Sequence, residues 1–457
     1  MKHCAISPQR VRMAGLTLIT SLLIPNVVCG QHRVAAYYPS WLRNALPANQ
    51  IKFDKITHIN HAFAWPLADG AITGYENLDH PELIAATHQA NKNILISLGG
   101  FGQSDGFAPM AADSAARKKF VENLVNYCID GGYDGADIDW EFPQTTADRA
   151  NLTTLIKEIR EGFNDNNPGL LLTMVAVPGD FNGHWHDYPA LAAYVDWFNL
   201  MTYDFHGPWF SHAGHNAPLF QPPNDFDGSV DTGLKYLNRT RGIPKEKINL
   251  GLPFYGREFN SAVLYGPSTG GNDLPYNAIA PNLAAGWQYH WDDISKVPYL
   301  TNPTNSKLTT FDDSLSITMK CDYAKQNGLA GVMIWALGYD IIGDRQPLLS
   351  AVARAMGGTT SVSEQPRMIA KNFLLFNNYP NPFNPTTTIT FYIETDTPVK
   401  LSIYDITGKL VTVLLNTTAL RGINKTTWDA TGFANGLYFY KLESANFSEV
   451  KKMILIK

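Results

Sequence analysis

The stretch YDGADIDWEFP, residues 133–143, concentrates acidic residues in a chain of modest overall charge. Its four acids fall within eight positions, and they are Asp134, Asp137, Asp139 and Glu141. The last three alternate with apolar residues, so in a strand their carboxylates share one face and the apolar side chains share the other. Helices must cover an apolar outer face. The stretch therefore predicts a barrel strand that turns its acids inward, with Glu141 at the C-terminal mouth.

The same kind of strand recurs along residues 33–340. Short apolar runs typical of buried parallel strands alternate with longer segments of helical periodicity. The eight strand candidates are 33–38, 56–63, 93–100, 133–141, 170–177, 196–204, 248–256 and 328–336. Eight such units predict an α/β fold, a (β/α)₈ TIM barrel over residues 31–356. Residues 257–310 are too many for an ordinary βα loop, so we expect a small insertion after the seventh strand.

Composition and the N-terminus limit the class of protein. Hydrophobic residues at 45% and charged residues at 17% of 457 are typical of a globular chain. Residues 1–30 have a basic start and an apolar run too short to span a membrane, which predicts a cleaved signal peptide. Cleavage removes three basic residues and no acids, so the net charge moves from −5 to about −8, which disfavours nucleic-acid binding. No later segment is apolar enough to cross a membrane.

The pattern changes after residue 356. Residues 357–371 are predicted to form a linker, and residues 372–457 contain short β runs separated by turn residues such as Thr407-Gly408 and Asn435-Gly436. This part shows no helical periodicity, so we expect an all-β sandwich. The pattern by itself leaves open a sandwich that binds carbohydrate.

Three carboxylates inside a barrel cannot all be ionised cheaply, so the set should retain a proton. A protonated carboxyl at the mouth suits proton donation to a leaving oxygen, as in glycosidases. The other two acids lie below Glu141 on the same strand and are poorly placed to attack a sugar carbon. The substrate would then supply the nucleophile, such as a 2-acetamido oxygen. Two alternatives stay open here, a solvated acidic face on a surface strand and a hard-cation site.

Residues 134–141, DGADIDWE, resemble the DGxDxDWE signature of the family 18 glycoside hydrolases, the chitinases. Three other segments resemble family segments in the same order: SLGG at 97–100, MTYD at 201–204 and VMIWALGYD at 332–340. The resemblance covers residues 33–356. It implies retaining, substrate-assisted hydrolysis of β-1,4-linked N-acetylglucosamine polymers (chitin and chitooligosaccharides), with no cofactor and no metal.

The resemblance also implies a role for each site residue. Glu141 would be the general acid and later the base, Asp139 would orient the acetamido nitrogen, and Asp137 would share a proton with Asp139. Tyr203 would donate to the acetamido oxygen, and Trp335 would form an apolar floor under the sugar. Core packing is the alternative for both aromatic residues. The other substrate-binding candidates are Met201, Asp204, Tyr38, Phe63, Trp140, Gly99, Gly100, Phe101, Tyr255 and Arg257.

Aromatic residues on predicted loops add candidates for a glycan platform, with loop packing as the alternative. They are Trp41, Trp65, Trp185 and Trp209. Trp287 and Trp291 of the insertion are predicted to join Tyr255 and Arg257 in one wall of a groove.

Residues 378–385, NYPNPFNP, resemble the opening of the C-terminal sorting domains of the bacterial type IX secretion system. The segments 403–405, 436–438 and 451–457 follow that family's order. The resemblance implies export through the type IX machinery to the surface or the outside of a bacterium with an outer membrane. We expect a monomer with no nucleic-acid partner and no transmembrane span in the mature chain.

The leading hypothesis is a secreted or surface chitinase. An endo-β-N-acetylglucosaminidase acting on glycoprotein or peptidoglycan glycans is an alternative within the enzymes. A chitin-binding lectin on an inactive barrel is an alternative of another class. Such lectins usually lose the final acid of the signature, and this chain retains Glu141.

Overall fold

Eight parallel strands close into a barrel in the computed structural model, which describes residues 32–456 apart from 224, 305, 358–372, 379, 394 and 446. The barrel strands are β1 (Arg33–Pro39), β2 (His58–Pro66), β4 (Asn93–Gly99), β5 (Gly135–Asp139), β6 (Leu171–Ala176), β7 (Trp197–Leu200), β8 (Ile248–Pro253) and β14 (Gly331–Trp335). A short strand, β3 (Ile72–Thr73), extends β2 antiparallel. β1 pairs with both β2 and β14, so the ring is closed and the predicted TIM barrel is confirmed.

Helices cover the outside of the barrel. They are α1 (Pro81–Gln89), α2 (Phe107–Ala112), α3 (Ser114–Gly131), α4 (Thr146–Asn166), α5 (Asp180–Gly183), α6 (Tyr188–Leu191), α7 (Val230–Lys235), α9 (Ser314–Gln326) and α10 (Pro347–Met356). The N-caps of α3 and α4, Asp113 and Thr145, each accept a backbone N–H of the first turn. Among the described residues, no helix combines the length and apolarity that crossing a membrane requires.

The core lies between the strands and this helical layer. α4 buries one stripe of apolar side chains at helical spacing, made of Leu152, Leu155, Ile156, Ile159 and Phe163. Each fully buried side chain of this size stabilises the fold by about 1.5–3 kcal/mol. This spacing of apolar residues is typical of a helix that packs one face against a barrel.

The fourth barrel strand is shorter than predicted. β5 ends at Asp139, where it pairs with Gly99 of β4, and Glu141 lies two residues beyond its end. Gly99 and Gly100 have φ of 110° and 87°, a region that favours glycine, so β4 turns away here and its ladder stops. Glu141 is thereby freed from the sheet and lies at the barrel mouth.

The segment after the seventh barrel strand forms a separate sheet. Its strands are β9 (Tyr255–Phe259), β10 (Gly271–Pro275), β11 (Gln288–Asp292), β12 (Val297–Thr301) and β13 (Leu308–Thr310), and α8 (Tyr276–Ala284) lies between β10 and β11. All pairings in this sheet are antiparallel, in the order β10-β9-β13-β12-β11. The insertion starts two residues earlier than predicted, because β9 follows β8 with a single residue between them.

The C-terminal residues form two antiparallel sheets. One contains β15 (Phe373–Leu375), β16 (Thr386–Ile393) and β19 (Gly422–Asp429), and the other β17 (Thr397–Asp405), β18 (Leu410–Ala419), β20 (Gly436–Ser444) and β21 (Phe447–Leu455). A shared apolar core joins them, with Trp428 only 2% exposed at its centre. The indole therefore packs the sandwich and cannot serve as a sugar platform. The predicted signal peptide, 1–30, and the predicted linker, except Gly357, lie outside the described residues.

Replacing Lys320 by Met should destabilise the barrel by about 3–5 kcal/mol. Lys320 on α9 is fully buried, and its Nζ lies 2.6 Å from both carboxylate oxygens of Asp312. Loss of the ammonium leaves a buried carboxylate without its counter-charge. Urea unfolding followed by far-UV circular dichroism measures the change. The double variant Lys320→Met, Asp312→Leu should recover most of the lost stability. A free energy of unfolding of the single variant within about 1 kcal/mol of the parent's would contradict this role of Lys320.

Candidate active site

Asp137 forms the base of the site inside the barrel. It is completely buried, and its carboxylate accepts hydrogen bonds from four side chains on four strands. The donors are Tyr37 at 2.7 Å, Ser97 at 2.9 Å, Thr173 at 2.5 Å and Asn199 at 3.0 Å. Burial raises the pKa of Asp137, and these donors oppose the rise. The carboxylate is therefore fixed in place from all sides.

Asp139 and Glu141 form a pair above Asp137. Burial, then the charges of Glu141 and Asp137, hold the pKa of Asp139 well above its usual range. Burial and then the charge of Asp204 raise the pKa of Glu141 to about 7, while a hydrogen bond with Asp139 opposes the rise. The pair therefore retains a proton near neutral pH. The predicted sharing of a proton between Asp137 and Asp139 stays a prediction, and four other donors already contact Asp137.

One oxygen of Asp139 is free to receive a ligand. Among the residues that the structure describes, Asp139 Oδ1 makes no hydrogen bond although it is buried. Burying an acceptor without a hydrogen-bond donor costs free energy, and a bound ligand that donates to it removes this cost. The arrangement therefore provides an acceptor for an N–H of a bound molecule beside the proton that the Asp139–Glu141 pair retains.

Ser104 fixes the turn that carries Glu141 and is not among the predicted site residues. The backbone N–H of Glu141 donates to Ser104 Oγ at 2.9 Å, and that hydroxyl contacts the carbonyl oxygens of Gly100 and Asp139 at 3.2 and 3.3 Å. No pattern in the sequence marks Ser104, because it lies on a loop and acts through the backbone.

Tyr203 lies beside the acids at the end of β7. Burial, then the charges of Asp139 and Asp204, hold its pKa well above its usual range. The phenol therefore keeps its proton at neutral pH and can donate a hydrogen bond. Its Oη lies 3.8 Å from the sulfur of Met333, a weak partner that a better acceptor would displace.

Asp204 joins the barrel to the insertion. Tyr255 Oη and Arg257 Nη2 both donate to its Oδ1 at 2.5 Å, and Arg257 also contacts Asp273. The guanidinium lies 4.8 Å from the ring centroid of Trp209. Tyr255 and Arg257, two of the four predicted wall residues, therefore meet Asp204 in a polar wall on one side of the mouth.

An apolar floor lies on the other side. Trp335 stacks on Phe63 at 5.7 Å between ring centroids and contacts Tyr37 at 5.4 Å. Met201 packs against the same cluster. Trp41 reaches it from the short 3-10 helix Ser40–Leu42 that follows β1, and this residue is 57% exposed. Phe101 is 88% exposed and stands clear of the cluster. Aromatic faces of this kind are suited to the C–H faces of a sugar.

Two of the predicted contacts are wrong because the side chains point outward. Tyr38 is fully buried in the layer between barrel and helices, where its hydroxyl donates to the Leu46 carbonyl. Trp140 stacks on Phe107 in the same layer, 5.2 Å away. Tyr37, one position earlier, is the inward residue of β1. Strand alternation allows only one of two neighbouring tyrosines to face the site, and the sequence gives no reason to choose between them.

The two glycines of the SLGG segment shape the site through the backbone. A Cβ on Gly99 would lie 2.1 Å from the Asp139 carbonyl oxygen, and one on Gly100 would lie 2.6 Å from the Phe63 ring. The N–H of Gly100 donates to that carbonyl at 2.8 Å. Both residues position Asp139 and Phe63.

The tryptophans of the insertion do not form the predicted wall. Trp291 packs against Phe376 of the C-terminal sandwich, at 5.8 Å between centroids. Trp287 packs against the barrel's main core. Both side chains are used in packing, so only Tyr255 and Arg257 of the four predicted wall residues reach Asp204.

Comparison with known proteins agrees with this geometry. Residues 33–340 match the profile of the glycosyl hydrolases family 18, and residues 377–457 match the secretion system C-terminal sorting domain. The chain is 33% identical over 346 residues to "Probable endochitinase" of Caenorhabditis elegans, a match that covers 66% of this chain and 56% of the relative. It is 29% identical over 459 residues to Chitinase A1 of Niallia circulans, covering 78% of this chain and 64% of the relative. The chain thus spans less than two thirds of either relative.

A solved structure shares the fold. The Ostrinia furnacalis Group IV chitinase in complex with allosamidin is 28% identical and superposes with a TM-score of 0.67, covering 71% of this chain and 99% of that chain. The family profile extends over more than half of the present chain and includes every acid of the site. The chain belongs to the glycosyl hydrolases of family 18.

Proposed function

We propose that this protein is a chitinase that hydrolyses β-1,4-linked N-acetylglucosamine polymers with retention of configuration. The Asp139–Glu141 pair carries the proposal, because it offers a proton donor at the barrel mouth next to a buried acceptor without a partner. Asp204 is held by Tyr255 and Arg257, and Asp137 by its four donors. These acids are thus engaged elsewhere, which favours a nucleophile supplied by the substrate.

The reaction follows from these positions. Glu141 gives its proton to the glycosidic oxygen, and the bond between that oxygen and C1 breaks. The carbonyl oxygen of the 2-acetamido group bonds to C1, while Asp139 accepts the amide N–H and Tyr203 donates to the carbonyl oxygen. Glu141 then removes a proton from a water that attacks C1 and opens the ring, so the product keeps the β configuration. Trp335 lies under the sugar whose C1 reacts and whose ring is distorted.

The substrate class is tested by a direct comparison. The purified protein is incubated with chitin oligomers of four to six sugars, with a high-mannose glycoprotein and with peptidoglycan, and products are sized by mass spectrometry. We expect shorter oligomers from the first substrate and far slower release from the other two. Faster release from either glycoprotein or peptidoglycan would overturn the chitinase assignment in favour of an endo-β-N-acetylglucosaminidase.

Replacing Asp204 by Asn should move the alkaline limb of the pH–activity profile downward by roughly half a pH unit to one unit. Glu141 acts as an acid only when protonated, so activity falls as pH rises through its pKa of about 7. Burial and the charge of Asp204 both raise that pKa, so neutralising Asp204 lowers it. The measurement is kcat/KM against pH. Asp273→Asn is the control, because Asp273 contacts the same arginine from a 64% exposed position. An unmoved limb in the Asp204 variant would contradict the account.

We further propose that the protein is a monomer exported to the surface or the medium of an outer-membrane bacterium. The match of residues 377–457 to a sorting domain supports export, and the predicted signal peptide would supply the first step. Deleting residues 372–457 should leave the activity inside the outer membrane, where fractionation would detect it. Unchanged appearance outside the cell would contradict a sorting role.

A further inference from the structure

A second cluster of titratable side chains lies outside the proton-donor site, in residues 201–229 between β7 and α7. It consists of His206, His212, Asp225 and Asp227. The last three border a cavity of about 230 Å³ together with Phe226 and Tyr265. None of the four takes part in the proposed reaction.

The two ring nitrogens of His206 have different surroundings. Its ring is fully buried, and Nδ1 lies 3.0 Å from the carbonyl oxygen of His215. A carbonyl only accepts, so Nδ1 must carry the hydrogen, and in the neutral ring Nε2 then has a lone pair. Within the described part of the chain, Nε2 makes no hydrogen bond.

That lone pair faces two carboxylates. His206 Nε2 lies 3.4 Å from Asp225 Oδ1 and 3.1 Å from Asp227 Oδ2, and Asp227 Oδ2 lies 2.9 Å from His212 Nε2. The other oxygen of Asp225 is also buried without a hydrogen bond among the described residues. The lone pair of His206 and the carboxylate oxygens that face it are all acceptors, and they repel one another unless a proton or a cation lies between them.

The spacing fits a small tetrahedral ion. Ligands about 2.0–2.1 Å from a tetrahedral zinc ion are separated by edges of about 3.3 Å. Asp227 Oδ2 lies 3.1 Å and 2.9 Å from the two histidine nitrogens, close to that value. The ligand atoms of His206, His212 and Asp227 all lie within 4.8 Å of one another. Two imidazoles with a carboxylate form a donor set that suits zinc and its transition-metal neighbours better than calcium or magnesium.

The ring of His206 is held in this orientation from several directions. A Cβ on Gly214 would lie 2.1 Å from a carbon of the ring, so the backbone there supports the imidazole closely. His215, whose carbonyl receives the Nδ1 proton, is itself fixed through its Nε2, 3.1 Å from Asp292. A histidine that donates its second N–H to a carbonyl is the usual arrangement of a metal ligand.

We propose that His206, His212 and Asp227 bind one divalent transition-metal ion for which zinc is the best match, with a fourth position left for water beside Asp225. The side chains of His212 and Asp227 are 35% and 30% exposed, so the ion can reach the site from solvent. The ion would close residues 206–227 into a cross-linked loop. This loop carries Trp209 and supports Asp204, whose backbone N–H donates to Asn216. Its role is structural, and no catalytic step passes through it.

A proton is the competing occupant. Burial lowers the pKa of His206, but Asp225, the His215 carbonyl and Asp227 together raise it above its usual value. A buried imidazolium would then satisfy the carboxylates without any metal. The two occupants can be distinguished in the purified protein, because a bound metal ion adds to its metal content and a bound proton does not.

The test measures zinc in the full chain. The protein is stripped with a chelator, loaded with zinc chloride and desalted, and its metal content is measured by plasma mass spectrometry, with affinity from calorimetry. His212→Ala and Asp227→Asn remove the two accessible ligands and are less disruptive than changes at His206. His184→Ala is the matched control, an exposed histidine outside the cluster. Cobalt loading adds a spectroscopic readout, since tetrahedral cobalt absorbs strongly in the visible.

We expect one zinc per chain in the parent and in the control. Both ligand variants should bind at least about 100-fold more weakly, because even outer-shell partners account for about 10–100-fold. Zinc should also raise the unfolding temperature of the parent by about 2–4 °C at 100 times its dissociation constant, and leave both variants unchanged. A parent without stoichiometric zinc, or full zinc binding in either ligand variant, would overturn the proposal and leave the imidazolium. Neither result depends on chitin hydrolysis, so the proposed function is tested separately.

Discussion

Glu141→Gln should lower kcat on chitin oligomers by about 10³-fold, because general acid catalysis contributes about 10²–10⁴ and this variant loses the proton donor. The amide of glutamine has nearly the shape of a carboxylic acid but gives no proton to a leaving oxygen. The aromatic floor and the polar wall remain, so the dissociation constant for a chitin oligomer should change by less than about threefold. Initial rates and calorimetric titration measure the two quantities.

Asp134→Asn is the matched control for this variant. Asp134 starts the same acidic stretch but faces outward, where its carboxylate lies 3.0 Å from His88 Nε2 and accepts the N–H of Ile94. The same change from acid to amide should there leave kcat within about twofold. A Glu141→Gln enzyme with a tenth or more of the parent rate would mean that another group donates the proton.

Asp139→Asn should lower kcat by about 10²–10³-fold, the range seen when one preorganised electrostatic contact to a developing charge is lost. The buried Asp139 Oδ1 is the acceptor without a partner, and the proposed reaction gives it the acetamido N–H of the substrate. The positive charge that develops on the closing ring is stabilised by a carboxylate and much less by an amide. The loss should appear mainly in kcat, since the charge is absent from the bound ground state.

Rates on several chitin oligomers, together with the thermal unfolding temperature, separate this role from a general loss of folding. If Asp139 acts on the acetamido group, the variant should show the same loss with every N-acetylated chitin oligomer and retain the parent's thermal unfolding temperature within about 2 °C. A variant that folds normally and retains more than half the parent kcat would show that the acetamido nitrogen needs no acceptor here.

The barrel and its acidic strand could be predicted because both depend on alternation. Asp137, Asp139 and Glu141 share a face in any extended strand, and apolar neighbours decide that the face is the inner one. The family resemblance then supplied roles for these acids and for Tyr203 and Trp335, which the structure brings together around one mouth. Local sequence was sufficient for these features.

The remaining features depend on contacts between distant parts of the chain. Whether Tyr37 or Tyr38 faces inward depends on how β1 pairs with β2 and β14. Both sets of alternate positions in the run RVAAYY contain apolar residues, so the sequence does not decide between them. Trp140 looks like a site residue from its place in the signature. It alternates with the inward-facing acids, however, so its side chain faces outward and packs against Phe107. The four donors to Asp137 come from four strands and show no shared pattern along the sequence.

The cluster around His206 had no signal in the sequence. Its two histidines and two aspartates are spread over 22 positions, from 206 to 227, at spacings that match no common metal-binding motif. Only the folded loop brings the ligand atoms together. The same holds for Ser104, which reaches Glu141 through a backbone hydrogen bond.

The configuration of the first product shows whether C1 is inverted twice, as the acetamido route requires, or once by direct attack of water. Proton NMR of a chitin oligomer is recorded within the first minutes of hydrolysis, before the reducing end mutarotates. Attack by the acetamido oxygen and then by water inverts C1 twice, so the account predicts the β anomer in excess, decaying later toward the equilibrium mixture. An initial excess of the α anomer would show a single inversion by water and would contradict the account.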